Sequence, residues 1–117
     1  MDPLRVLITS MKLSRRSGSE LYVWDLATAL LDRGHSPIVY SPRLGPLATE
    51  LRTRTVPVID DLAMMSAPPD IIHGQGNHEL VTALLHFPDV PAIRVCHSPE
   101  EVLREFCEQW SFGFPVE

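Results

Sequence analysis

Short apolar runs rich in β-branched residues alternate with stretches of helical periodicity along this chain, and that alternation limits its fold more than any other feature. Leu4-Arg5-Val6-Leu7-Ile8-Thr9 reads as a buried strand. Ile38-Val39-Tyr40-Ser41, Val56-Pro57-Val58-Ile59, Asp70-Ile71-Ile72-His73 and Pro91-Ala92-Ile93-Arg94-Val95-Cys96-His97 read as further strands. Pro57 has no N–H for a ladder, so its strand is expected at a sheet edge. The strongest helix signal lies between the first two strands. Ser17-Gly18-Ser19-Glu20 has the form of a capping box, and Leu21, Trp24, Ala27, Leu30 and Leu31 recur at helical spacing. Gly34, just after Arg33, is expected to stop this helix in the left-handed conformation. Shorter helices are expected from Pro46 to Leu51 and, capped by Asn77, from His78 to His86. Ser98 is expected to cap a last helix from Pro99 to Trp110, with Glu100 and Glu101 in the first turn, where the helix dipole favours them. Asp60 to Pro69 reads as a loop or irregular helix.

Strand and helix in repeated alternation build a parallel sheet covered on both faces. The expected fold class is therefore α/β: a Rossmann-like, doubly wound parallel sheet of about five strands with helices on both faces. The 117 residues suit a single domain spanning positions 1–117. A normal globular composition, 44% apolar and 21% charged, supports one ordinary core. The net charge of −5 argues against a nucleic-acid partner, because phosphate contacts need clustered Lys and Arg. Cys96 and Cys107 make no disulfide framework, and the apolar run Val6–Ile8 is too short for a signal peptide. The chain thus reads as cytoplasmic, with contact at the periphery of the inner membrane left open.

Ligands of such sheets bind beyond the carboxyl ends of the strands, near the point where strand order reverses. That directs attention to the loops Ser10–Ser17, Ser41–Pro46 and Gly74–Asn77 and to the His97-Ser98 corner. The dinucleotide fingerprint and the P-loop are both missing, since Gly18 stands alone after the first strand. The loop Lys12 to Ser19 nevertheless precedes a helix N-terminus, a natural anion site, where Gly18 would permit close backbone approach and Arg15 or Arg16 would add charge. A solvated loop beside a capped helix is the alternative. The histidines and Cys96 show no zinc-ligand spacing, so no metal is expected. His73 and His97 each end a strand on the ligand side of the sheet, which makes them better site candidates than the mid-helix histidines. For His73 a hydrogen-bonded structural role is the competing reading.

Taken in order, these pieces resemble glycosyltransferase family four. The resemblance rests on Arg5-Val6-Leu7-Ile8, on Ser17-Gly18-Ser19-Glu20, and on Leu26 through His35 followed by Ile38-Val39-Tyr40. It continues through Pro69-Asp70-Ile71-Ile72-His73-Gly74-Gln75 and Pro91 through Ser98. The family implies a GT-B arrangement, in which an N-terminal Rossmann-like domain mostly holds the acceptor and a C-terminal one holds most of a nucleotide-sugar donor. Carried over by position, Gly18 and Ser19 match the loop that approaches the donor phosphates, and His97 matches the strand-end histidine facing the transferred sugar. His73 and Gln75 fall in the family's paired-histidine motif. Ser19 stands where the family has the second glycine of a pair, and Gln75 where it has the second histidine.

The resemblance therefore implies the N-terminal domain of a nucleotide-sugar-dependent glycosyltransferase, without a cofactor, acting on an unidentified small-molecule acceptor. The chain is expected to be a partial N-terminal domain, inactive in isolation because one cleft wall is missing. It would take a C-terminal domain supplied in trans, or form a homodimer through an exposed sheet edge. Two rivals remain: a non-catalytic Rossmann-like binding module or half of a split enzyme, and a flavodoxin-type protein whose first loop would cradle a flavin phosphate.

Overall fold

The computed structural model of this protein describes residues 2–11, 13, 18–75 and 77–95. The expected cap at Ser17, the basic pair Arg15 and Arg16, His97, and the helix expected from Pro99 to Trp110 lie outside the described residues. The elements follow the alternation read from the sequence: β1 Arg5–Thr9, α1 Gly18–Asp32, β2 Ser36–Tyr40, α2 Pro46–Thr53, β3 Val58–Ile59, a 3₁₀ turn at Leu62–Met64, β4 Ile71–Gly74, α3 Asn77–His86 and β5 Ala92–Arg94. All five strands are parallel, in the order β3-β2-β1-β4-β5. β3 is an edge strand, as Pro57 requires, and the Arg52 guanidinium donates to the Val58 carbonyl at 2.9 Å.

β1 is central, and its continuous apolar run reflects burial on both faces. On one face Val6 and Ile8 pack with Val39 and Val58, beneath Val23 and Ala27 of α1 and Leu47 and Leu51 of α2. On the other, Leu7 packs with Tyr40, Ile59 and Ile72, beneath Leu80 and Ala83 of α3 and Leu62 of the 3₁₀ turn. Helices thus cover both faces, and the sheet is doubly wound. The register between β1 and β4 is pinned at its amino end, where Arg5 N–H donates to Asp70 Oδ2 and Asp70 N–H donates to the Arg5 carbonyl, each at 2.8 Å.

The inward face of α1 differs from the expected stripe. Glu20, Val23 and Ala27 are buried, Trp24, Leu30 and Leu31 are partly buried, and Leu21 is 36% exposed. Leu21 stands about 160° around the helix from Val23, so the two cannot both face the sheet. The β1–β2 surface selects Val23, and the polar Glu20 takes the inward place in the first turn.

Both long crossover helices on this face end in the same way. After α1, Gly34 N–H bonds the Leu31 carbonyl and His35 N–H the Leu30 carbonyl, with Gly34 at φ 84°. After α2, Thr55 N–H bonds the Arg52 carbonyl and Val56 N–H the Leu51 carbonyl, with Thr55 at φ 66°. Each is a Schellman motif. The first has the glycine that its left-handed residue favours, whereas the second forces a β-branched residue into a region it rarely occupies. Opposite outcomes are expected from two substitutions measured by urea denaturation: Gly34→Ala should lose about 1 kcal/mol of stability, and Thr55→Gly should gain up to about 1 kcal/mol as strain is relieved.

Candidate functional site

The strand order fixes where a site can be built. From β1 the chain winds outward through β2 to β3, then returns across the sheet to β4 on the other side of β1. The reversal leaves a crevice between the carboxyl ends of β1 and β4, and α1 and α3 leave from it on opposite faces. Because helices in such crossovers run antiparallel to the strands, the first turns of both helices point their N–H groups toward this edge.

Thr9 and Gln75 form the floor of the crevice. Gln75 N–H donates to both the carbonyl and Oγ1 of Thr9 at 3.3 Å. Thr9 Oγ1 donates in turn to the Gln75 carbonyl at 3.5 Å. Thr9, Ser10 and Gln75 are all buried. This polar clamp holds the two strands together at the point where the ladder gives way to loops. Beside it, Ser41 Oγ turns the β2–α2 loop by accepting from Arg43 N–H at 3.3 Å. Leu13, fully buried, ties the β1–α1 loop to that second loop: it donates to the Arg43 carbonyl at 2.9 Å and accepts from Leu47 N–H at 3.2 Å.

His73 sits one residue before the end of β4, on the face covered by α1. Its Nε2 lies 3.0 Å from the Tyr22 hydroxyl, and the two rings stack with centroids 5.7 Å apart. Tyr22 carries no signal of this contact in the sequence, because it falls outside the apolar stripe of α1. Gly18 and Ser19 open α1 at the carboxyl edge, so the helix start and Gln75 belong to the same end of the sheet, while His73 is set back beneath α1. Thr9 is not singled out in the sequence and Ser10 only as the start of the loop that runs to Ser17; a polar pair ending a buried strand is the available signal.

Acidic groups gather on the β2 side of this edge. Burial, followed by the carboxylates of Glu79, Asp61 and Asp60, raises the Tyr40 phenol above its ordinary value. Among the described residues, no group of three or more His, Cys, Asp and Glu side chains stands close enough to hold a metal ion. No described helix is long and apolar enough to cross a membrane.

The model of Glycosyltransferase Family 4 matches residues 16–114, most of the chain. The chain belongs to this family. Its fold is also that of a solved glycosyltransferase from Rickettsia africae ESF-5, with a TM-score of 0.61 and 16% sequence identity; the match covers 91% of this chain and 34% of that one. The chain therefore spans about a third of the length of that glycosyltransferase. No protein of curated function matches it.

Family membership gives the β4 end its interest, since Gly74 and Gln75 close the segment that resembles the family's histidine motif. Gly74 lies against α3: a β-carbon there would come within 2.6 Å of Leu80 Cδ1 and 3.0 Å of Cγ. Leu80 is itself buried against Leu7, Ile72 and Ala83, so it has little room to yield. Gly74→Ala should cost about 1–3 kcal/mol by overpacking. Chemical denaturation monitored by circular dichroism checks this; an unchanged midpoint would show that Leu80 repacks freely.

Proposed function

We propose that these residues form one wall of the active-site cleft of a nucleotide-sugar-dependent glycosyltransferase with a GT-B arrangement, the wall that mostly holds the acceptor. The observation that carries this reading is the crevice at the β1–β4 reversal, with the start of α1 opening onto it, in a chain of this family. In this reading the donor diphosphate approaches Gly18 and Ser19 at the start of α1. Arg15 and Arg16, just ahead of them in sequence, add positive charge. Fixed N–H dipoles and cations stabilise the negative charge that develops on the leaving diphosphate as its bond to the sugar breaks, and no metal is needed for that role. His97 faces the transferred sugar, and Gln75 and His73 belong to the same wall, with Tyr22 holding the His73 ring in place.

Turnover needs groups from both walls of such a cleft, so a donor-binding domain must complete the site, in the same polypeptide or in trans. These 117 residues alone are expected to bind donor weakly and transfer nothing. Calorimetric titration with UDP, GDP and a panel of nucleotide-sugars tests this. Millimolar binding that is lost in Gly18→Trp and weakened in His97→Ala supports the reading. Binding that survives Gly18→Trp places the nucleotide elsewhere and overturns the role of the α1 start.

Independently of that domain, the chain is proposed to pair with a second copy of itself. β5 is one of the two edge strands among the described residues, and its Ile93 is 51% exposed. Edge pairing through β5 predicts a concentration-dependent dimer by light scattering, shifted to monomer by Ile93→Lys. A monomer at all concentrations would rule it out.

A further inference from the structure

The opposite end of the sheet holds a feature that the reading above does not use. The crossover from β3 to β4 is carried by an irregular segment with a single 3₁₀ turn instead of a full helix. On that face α3 packs over β1 and β4, and among the described residues this segment, with Leu62 and Met65, lies over β2 and β3. A cavity of about 400 Å³ remains under it, toward the amino ends of the strands. That is within the ordinary range of small-molecule sites.

The cavity is chemically two-sided. Ile38, Pro57, Ile59, Met64 and Met65 supply apolar walls, and the two methionines offer an adaptable surface. Arg5 and His35 also line it. Leu4 N–H donates to His35 Nδ1 at 3.0 Å, which leaves the ring proton on Nε2 as a donor. Asp70, the acid next to Arg5, uses its carboxylate on the Arg5 backbone N–H rather than on the guanidinium. At the mouth stands Thr55, a β-branched residue held at φ 66°.

We propose that this cavity binds a monoanionic amphiphile, a medium-chain alkyl carboxylate, with its chain against Ile38, Ile59 and the two methionines and its head at Arg5 and His35. One guanidinium and one neutral imidazole N–H match a single negative charge. The Asp70 carboxylate beside Arg5 repels a dianionic phosphate head more strongly than a monoanionic carboxylate. The proposal does not depend on glycosyl transfer, because the cavity and the carboxyl-edge crevice lie at opposite ends of the strands.

The test is calorimetric titration of the 117-residue chain with sodium octanoate and, separately, octylammonium chloride. Octanoate should bind with a dissociation constant on the order of 1 mM or tighter, and octylammonium at least about ten-fold more weakly. Arg5→Gln should weaken octanoate about ten-fold, as expected for losing a charged hydrogen-bond donor at a partly exposed site. Ser66→Trp, at an exposed position on the rim, should abolish binding by filling the mouth while leaving the thermal midpoint unchanged. Absence of octanoate binding, equal affinity for the two amphiphiles, or octanoate binding that survives Ser66→Trp would each overturn the proposal.

Discussion

Everything in this structure depends on β1 being sealed on both faces. Val6 and Ile8 point to one helical layer and Leu7 to the other, and none of the three keeps more than a trace of exposed surface. A parallel strand buried in this way cannot pair by a tight turn. The chain must cross over a helix to reach β2 and another to reach β3, and then return past β1 to lay down β4. The two faces of β1 therefore recruit separate layers: Val23 and Ala27 above, Leu80 and Ala83 below. The hydrophobic requirement of Val6, Leu7 and Ile8 thus generates the doubly wound topology and, with it, the reversal beside β1.

The polar groups follow from the same constraint. At the carboxyl end of β1 the apolar run stops at Thr9 and Ser10, whose burial obliges them to find hydrogen bonds. Thr9 finds them in Gln75, and Ser10 N–H in the Tyr40 carbonyl at 2.9 Å. At the amino end, Asp70 does the same for Arg5. Between these two clamps β1 and β4 cannot slip, and a slip of one residue would turn His73 from the α1 face to the α3 face. Register, more than local propensity, decides which layer His73 meets, and hence its contact with Tyr22.

This dependence explains what could be read from the sequence. Alternation and periodicity report local preference, and they located the strands, the left-handed stop at Gly34 and the edge position set by Pro57. Phase was harder. The stripe through Leu21 has helical spacing, yet the surface of β1 and β2 chose a face centred on Val23, because rotation about the helix axis is a tertiary matter. Thr55 was illegible for a related reason: the Schellman motif after α2 is imposed by the need to bring the chain back into β3, against the preference of the residue. Among candidate site residues, Gln75 could be placed at the crevice by its position after a strand, whereas its bonds to Thr9 join positions far apart in sequence. Tyr22 gave no signal at all, since its partner is chosen by the register of β4.

The same layering distributes charge unevenly around the candidate site. Glu20 is 1% exposed in the first turn of α1, and a carboxylate there is stabilised by the positive end of the helix. It also uses part of the field that would otherwise attract a ligand anion. Glu79 occupies the corresponding place in α3, and with Asp61 and Asp60 it adds, after burial, to the upward shift of the Tyr40 phenol and leaves the β2 side of the edge acidic. In the proposed reading, a diphosphate is thus steered away from the β2 side and cannot rely on the helix dipole alone. It needs the close approach that Gly18 permits and the charge that Arg15 and Arg16 bring. Folding energetics put acids inside the first turns of both helices, so in the proposed reading anion recognition rests on the residues that precede α1 in sequence.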